Sequence, residues 1–214
     1  RVDWANLDED IAALIFNKLD GKDLSRTRLA CRIWARLVKE NLSHIEVLGS
    51  CIDETFHDHF PNLRFLSIVN EVSDTALLNL EDFEHLQHLE LYDMSVTEPL
   101  SMEAVDAIAS LPNLVSIETV SCNSFTDEHL ELFGPMCSIS MYKIRDHLLG
   151  DLSPLLYSLS AKICVDDTGL GALSHMKSLQ LLNVGFSIDT HPGWLDPLKN
   201  LRLRVLCVND CDYS

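Results

Sequence analysis

Positive charge is scarce over most of this sequence. Its 214 residues include 33 acidic and 16 basic ones, which gives a formal charge of -17 and a pI near 4.7. Between residues 41 and 141 the sole lysine or arginine is Arg64. Such a chain repels phosphate, so the composition argues against a general nucleic-acid binder and against attachment to an anionic membrane.

Long apolar runs and a disulfide framework are also missing. No apolar run approaches the roughly 18 to 20 residues of a membrane-spanning helix, and residues 1–16 lack the basic-then-apolar layout of a signal peptide. Seven cysteines, an odd number at irregular spacing, fit a reducing compartment better than a disulfide scaffold. With 47% hydrophobic residues the chain has enough apolar side chains for a core. We expect a soluble protein of the cytoplasm, the nucleus or both.

Enzyme motifs are absent as well. No Gly-rich phosphate loop follows a strand pattern, and there is no Gly-x-Ser-x-Gly elbow. His57 lies two residues from His59, and Cys207 four residues from Cys211, but neither pair has the further ligands of a zinc site. We predict a protein without catalytic residues, metal or cofactor, and a metal-dependent hydrolase using His57 and His59 is the weakest alternative.

The charge divides the chain into two parts. Residues 1–40 contain eight basic and seven acidic residues, a net charge of +1, so the remaining residues carry -18. This asymmetry predicts two modules with different electrostatic roles, residues 1–40 and residues 41–214.

The first module follows the pattern of short helices. Asn6 and Glu9 have the spacing of a capping box. Apolar residues then recur at helical spacing from Ile11 to Leu19, and a second apolar stripe from Leu29 to Val38 predicts a further helix. The opposite face of that helix carries basic side chains, namely Arg28, Arg32, Arg36 and Lys39. Forty residues are too few to bury this much apolar surface alone, so the module needs a partner, either the rest of the chain or another protein.

The spacing of these residues resembles an F-box. The first helical pattern ends with Ile15-Phe16. Leu24 follows Asp23 in the second pattern, and the third begins with Cys31-Arg32-x-Trp34. The match covers about 37 residues and departs from the family at Asp8, where a proline is usual. The departure predicts a less rigid start of the first helix.

The resemblance implies docking onto the acidic Skp-type adaptor of a cullin-based ubiquitin ligase. The only basic-rich stretch of the chain lies in this module, which fits an acidic partner. The positions that match the adaptor-facing or supporting apolar positions of the family are Trp4, Leu7, Ile11, Ile15, Phe16, Leu19, Leu24, Cys31 and Trp34.

The second module is repetitive. A Leu-x-x-Leu-x-Leu frame begins at Leu63, Leu86, Leu114, Leu179 and Leu203, with weaker copies at Leu42, Met136 and Leu156. Successive frames start 20 to 28 residues apart, which is the range of leucine-rich repeats. We therefore predict an α/β fold: about eight repeats over residues 41–214, the first and last acting as caps, forming a curved solenoid with a parallel concave sheet and helices on its convex side.

Two further patterns support repeats. Helix-start residues precede apolar segments at residues 73–75, 126–128 and 166–168, where side-chain oxygens can cap backbone N–H groups. Cys122, Cys164 and Cys211 each follow their frame's first position by eight residues, where the consensus has Asn or Cys. This arrangement is similar to the cysteine-containing leucine-rich repeats that often follow F-boxes, and it predicts structural cysteines.

Binding is then expected on the concave sheet. The third, fifth and seventh frame positions alternate with the buried leucines and point towards solvent. They bring together aromatic and acidic residues in the first half of the repeats, namely Phe65, His88, Glu90, Tyr92, Glu118 and Tyr142. Exposed aromatics with carboxylates suit a protein target that has a basic segment.

These observations predict the substrate-recognition subunit of a Skp-cullin-F-box ubiquitin ligase, in which the F-box binds the adaptor and the repeats bind the target. The chain would contribute proximity and no nucleophile. The alternative is an F-box and repeat scaffold or inhibitor that binds proteins without leading to ubiquitination.

Overall fold

The computed structural model describes residues 8–19, 21–92, 99–120, 129, 132–133, 137–141, 149–150, 152, 154–165, 167–186 and 195–210. Its contacts cluster into two compact units. The first comprises Arg1–Ser95 and Glu103–Leu114, and the second Val96–Met102 and Val115–Ser214. The division into functional domains at residue 40 stays a prediction.

Three helices begin the first unit. They are α1 (Glu9–Phe16), α2 (Gly21–Ala30) and α3 (Arg32–Asn41). Phe16, Leu24, Leu37 and Val38 are buried in their core. The helices continue directly into the repeats, because Leu42 after α3 is fully buried and the Asn17 side-chain oxygen accepts a hydrogen bond from the Ser43 backbone N–H at 3.2 Å.

Eight parallel strands carry the repeats. In the first unit β1 (His44–Leu48), β2 (Phe65–Val69) and β3 (His88–Tyr92) pair in sequence order. In the second unit β4 (Ser116–Val120), β5 (Ser138–Met141), β6 (Ser158–Val165), β7 (Leu181–Phe186) and β8 (Val205–Asp210) do the same. Every strand begins two residues after a predicted frame start. The predicted mixed α/β repeat fold is confirmed, with the weak frames at Leu42, Met136 and Leu156 in the same register as the strong ones.

Within each unit, the carbonyl oxygen just before one strand accepts two N–H groups at the start of the next strand. The Ser43 carbonyl oxygen accepts hydrogen bonds from both Arg64 N–H and Phe65 N–H, each at 2.9 Å. The Arg64 carbonyl oxygen does the same for Gln87 and His88, at 2.9 and 3.0 Å. Equivalent acceptors in the second unit are Val115, Cys137, Tyr157 and Gln180. A one-residue slip would break these pairs and turn every side chain to the other face.

Side chains alternate along the strands as the frames require. Leu66, Ile68, Leu89 and Leu91 are buried on one face of the first unit, and the intervening positions form the other face. In β8 the corresponding core positions, Leu206 and Val208, are exposed among the described residues.

Short helices connect the strands. They are α4 (Phe56–His59), α5 (Asp74–Leu78), α6 (Met102–Ala109) and α7 (Asp167–Leu173). At α5 the predicted cap is present, since the Ser73 Oγ accepts from the Ala76 N–H at 3.3 Å. Helix α6 was not predicted and occupies the longest step between frames. Residues 126–128 and Cys122 lie outside the described residues.

Gly49, after β1, lies where the backbones of two repeats meet. Its N–H donates to the Asn70 carbonyl oxygen at 3.1 Å, and Asn70 and Glu71 have positive φ angles of 57° and 52°. A Cβ on Gly49 would overlap the Glu71 carbonyl oxygen and would lie 2.7 Å from the Glu71 carbonyl carbon. Backbone atoms cannot rotate away as a side-chain end can, so this position requires glycine.

Gly49→Ala should therefore destabilise the protein by about 1–3 kcal/mol, because the new methyl group forces two loops apart. The measurement is the free energy of unfolding in urea. Gly150→Ala is the matched control, because a Cβ there meets nothing within 4 Å. Equal stabilities of the two variants would contradict the close approach at Gly49.

Candidate functional site

Helix α1 begins with a cap that the sequence interpretation missed. Asp8 stands where the F-box family usually has proline, and its carboxylate oxygen accepts from the Asp10 N–H at 3.0 Å. The Asp8 carbonyl oxygen accepts the first helical bond from Ala12 N–H at 2.8 Å. Aspartate is a favourable N-cap residue, so this hydrogen bond supports the helix start that the missing proline was expected to loosen. Asn6, the cap predicted from the sequence, lies outside the described residues.

The predicted helix from Leu29 to Val38 is interrupted at Cys31. Leu29 and Ala30 belong to α2, and α3 begins at Arg32. Cys31 is extended, with φ -163° and ψ 163°, and its Sγ accepts from the Trp34 N–H at 3.5 Å as the N-cap of α3. The apolar stripe is continuous in sequence but is divided between two helices, so its first residues are not held in the core.

Some of the predicted adaptor-binding residues lie behind the surface. Phe16 and Leu24 are 1% and 0% exposed, and Phe16 meets Trp34 edge to face, with ring centroids 6.2 Å apart. Ile15, Leu19, Cys31 and Trp34 are half-buried, and Ile11 is exposed. Trp4 and Leu7 lie outside the described residues. The buried members of the set therefore lie in the core of the three helices.

A second apolar set points outward. Leu14 on α1 is 66% exposed and Leu29 on α2 is 84% exposed, and Ile11 and Ile33 are exposed as well. On α1 the residues that turn inward are Ala12 and Phe16, so the helix has apolar residues on both faces. One apolar face of α1 packs into the core of the three helices. An apolar second face indicates a further contact, with another part of the chain or with another protein. We name Ile11, Leu14, Leu29 and Ile33 the exposed apolar set.

Basic side chains accompany this set. Arg32, Arg36 and Lys39 of α3 are exposed, as the sequence pattern predicted. On α2, Arg26 pairs with Asp23 at 3.1 Å. Exposed cations beside exposed apolar residues suit an acidic protein partner.

The strand face of the first unit joins aromatic and acidic residues. The rings of His44, Phe65 and His88 occupy paired positions on β1, β2 and β3, with centroid separations of 4.3 and 5.8 Å. Two residues further along, Glu46, Ser67 and Glu90 are paired in the same way. We name this surface the aromatic-acidic face; its residues are His44, Glu46, Phe65, Ser67, His88, Glu90 and Tyr92.

The face contains four of the six residues predicted to bind a target. Phe65, His88, Glu90 and Tyr92 are half-buried, and the Tyr92 hydroxyl donates to the Glu90 Oε2 at 3.3 Å. Glu118 is half-buried on β4 of the second unit, and Tyr142 lies outside the described residues.

Two members of the face were missed in the sequence, and the burial of a third was not predicted. His44 and Glu46 belong to the weak first repeat. Ser67 was expected to face solvent, yet it is 3% exposed and its Oγ has no hydrogen-bond partner. The alternation rule assigns it to this face but does not predict that its side chain is buried.

The second unit presents a different strand face. Ser116, Ser138 and Ser158 occupy paired positions on its first three strands, and the Asn183 amide donates to the Ser160 Oγ at 3.1 Å. This face is hydroxyl-rich where the first is aromatic and acidic.

No metal cluster is formed by the part of the chain that the structure describes. Groups of three or more His, Cys, Asp or Glu side chains in a suitable arrangement are absent from these residues. His57 lies instead edge-on to the Phe83 ring at 5.0 Å, and His59 meets Phe60 at 6.3 Å. Across the same residues, no helix is long and apolar enough to span a membrane.

Comparison with known proteins identifies the helical segment. An F-box domain matches residues 4–46, in agreement with the resemblance drawn from the sequence. Among solved structures, an internalin from Listeria monocytogenes is similar at a TM-score of 0.49 and 16% identity. The alignment covers 82% of this chain and 58% of that one, so the chain spans less than two thirds of the internalin's length. No curated protein matches.

Two leucines of α2 allow a matched test of this arrangement. Leu24→Ala should lower the free energy of unfolding by about 2–5 kcal/mol, since it leaves a cavity in the core. Leu29→Ala makes the same chemical change on the same helix at an exposed position, so its effect should stay within about 0.5 kcal/mol. Urea unfolding of both variants provides the measurement, and a large loss at Leu29 would show that the exposed apolar set is structural.

Proposed function

We propose that this chain is the substrate-recognition subunit of a Skp-cullin-F-box ubiquitin ligase. The observation that carries the proposal is the F-box match over residues 4–46 together with the exposed apolar set on those helices. The helices dock a Skp-type adaptor, which links the chain to a cullin, and the repeats hold a target protein. These assemblies act in the cytoplasm and the nucleus, where we place the chain.

Adaptor docking follows from what the helices leave unburied. Phe16 and Leu24 complete the internal core, so Leu14 and Leu29 are not needed to fold it. Fully burying one such side chain in an interface contributes about 1.5–3 kcal/mol. The exposed Arg32, Arg36 and Lys39 add attraction to an acidic partner and speed its association. In this arrangement the predicted residues Ile15, Leu19, Cys31 and Trp34 support the docking surface from behind or border it.

Target recognition belongs to the strand face. Its aromatic rings and carboxylates occupy paired positions on adjacent strands, which makes the surface rigid before binding. The chain supplies no nucleophile in this proposal. It accelerates transfer by holding the target's lysines near the ubiquitin carried by the ligase, which raises their effective concentration.

The adaptor interface is tested with paired leucines. Leu14→Asp together with Leu29→Asp should weaken co-purification with a Skp-type adaptor by at least about tenfold, because two apolar contacts become buried charges. Leu155→Asp is the control, since Leu155 is 67% exposed and Leu14 is 66% exposed, yet Leu155 lies in the second unit. Native chain that fails to bind the adaptor, or a double variant that binds equally well, would contradict the docking proposal.

The ligase role requires a second measurement. Native chain assembled with adaptor, cullin and conjugating enzyme should support ubiquitin transfer to a bound target, and the Leu14 and Leu29 double variant should not. Binding of adaptor and target without transfer would favour the scaffold or inhibitor instead.

A further inference from the structure

Strand β8 of the second unit exposes side chains that the repeat pattern assigns to the core. On the neighbouring β7 the paired core positions, Leu182 and Val184, are buried. Their partners on β8, Leu206 and Val208, are 39% and 52% exposed, and Val205 on the opposite face is exposed as well. Exposed apolar residues on both faces of one strand mark a surface for a protein contact.

The backbone edge of β8 is also open. β8 pairs with β7 along one edge, and no strand pairs with its other edge in the part of the chain that the structure describes. The Val205 N–H donates towards β7, to the Gln180 carbonyl oxygen at 3.0 Å. Because backbone groups alternate along a strand, those of Leu206 and Val208 point to the open edge. Lysine and proline protect many natural edge strands from pairing, and Val205–Asp210 contains neither.

The residues of β8 complement themselves when two copies of the strand run antiparallel. In a register centred on Cys207, Leu206 of one copy lies opposite Val208 of the other. In the same register Arg204, which is exposed just before β8, lies opposite Asp210 at the end of β8. Each pair occurs twice because a two-fold axis relates the copies. The apolar pairs therefore meet in the middle of the contact, and opposite charges meet at both of its ends.

The neighbouring registers lose this complementarity. With the axis at Leu206, Val208 of one copy would lie opposite Arg204 of the other. With the axis at Val208, Leu206 would lie opposite Asp210. Both alternatives place a charged side chain against an apolar one and leave the charge without an opposite partner. The pattern of apolar and charged residues thus selects the register centred on Cys207.

We propose that β8 is a dimerisation edge, to which a second copy of this chain adds its own β8 antiparallel in the register centred on Cys207. The backbone groups of Leu206 exchange hydrogen bonds with those of Val208 of the second copy. The occupant is a second copy because both the apolar pairs and the charge pairs are complementary to the strand itself. The inference goes beyond the proposed function and does not depend on it.

The net charge of the chain opposes this association only at long range. Two copies with a charge of -17 each repel one another, but at physiological salt charges more than about 8 Å apart are largely screened. The contact segment differs from the rest of the chain, since residues 199–208 contain three basic residues and no acidic one. Its arginine at position 204 then meets the carboxylate that ends the other copy's strand.

Sedimentation velocity of the full chain tests the dimer. A strand edge of six residues buries an area at the low end for specific interfaces, below about 1,200 Å². We therefore expect a reversible monomer–dimer equilibrium between about 1 and 200 µM. A monomer at every concentration would overturn the proposal. Growth beyond the dimer would do so too, because two-fold pairing uses up both open edges.

A lysine on the edge locates the contact. Val208→Lys should weaken dimerisation by at least about tenfold, since it places a charge in the apolar middle twice per dimer. Leu155→Lys is the matched control, because Leu155 is also exposed and lies in the same unit outside β8; it should change dimerisation by less than about twofold. Urea unfolding verifies that both variants are folded. Equal losses in the two variants would contradict the contact at β8.

Exchanging the charges tests the antiparallel register. Arg204→Glu and Asp210→Arg should each weaken dimerisation by at least about threefold, because each places like charges opposite one another twice. The combined variant has opposite charges in these positions again and should dimerise within about twofold of the native chain. A combined variant that is as weak as the single variants would refute this register.

Cys207 reports the centre of the register directly. The two Cys207 residues would form a non-hydrogen-bonded pair with Cα atoms about 4.5 Å apart, which is within disulfide range. Diamide, which takes up the two electrons and two protons released by the thiols, should therefore link two chains through Cys207. Cys207→Ser should abolish this covalent dimer, whereas Cys51→Ser at another exposed cysteine should leave it. Peptide mass mapping that finds the linkage at other cysteines instead would overturn the register.

Discussion

Within each unit the repeat structure depends on one hydrogen-bond arrangement, in which the carbonyl oxygen just before one strand accepts two N–H groups at the start of the next strand. Ser43, Arg64, Cys137, Tyr157 and Gln180 all act in this way within their units. Because this arrangement fixes the register, equivalent side chains lie side by side on consecutive strands. The ring row of His44, Phe65 and His88 and the row of Glu46, Ser67 and Glu90 both follow from it. The arrangement of side chains on this surface is thus set by the backbone register.

The strands could be predicted because their signal is local. Period-two alternation of apolar residues places each strand directly, and even the weak frame at Met136 has its strand at the expected position, Ser138–Met141. Helix α6 was missed because it lies in an insertion between frames, although its buried residues Ala104, Val105 and Ile108 recur at helical spacing. At Cys31 the apolar pattern does not show where one helix ends and the next begins. The apolar stripe continues through it, and only the extended backbone and the Sγ cap reveal that two helices meet there.

The candidate sites were harder to predict because they depend on contacts between elements. Apolar spacing on α1 identifies Ile11, Leu14, Ile15 and Phe16 as a group, but it cannot decide which of them packs against α3. That choice follows from the Phe16 and Trp34 contact, and it leaves Ile11 and Leu14 outside. Ser67 is similar: alternation assigns its face but does not predict its burial.

The junction between the helices and the first strand has a practical meaning for truncation studies. Leu42 is buried between the two, Asn17 bonds to Ser43, and the Asn62 amide reaches back to the Glu40 carbonyl oxygen at 3.0 Å. Removing the F-box helices would therefore strip the cover from the end of β1 and leave an open sheet edge, which invites self-association. A deletion intended to isolate the repeats from the helices would therefore change the solubility of the repeats too. Point changes at Leu14 and Leu29 avoid this loss of solubility, because they leave the contacts between the helices and β1 intact.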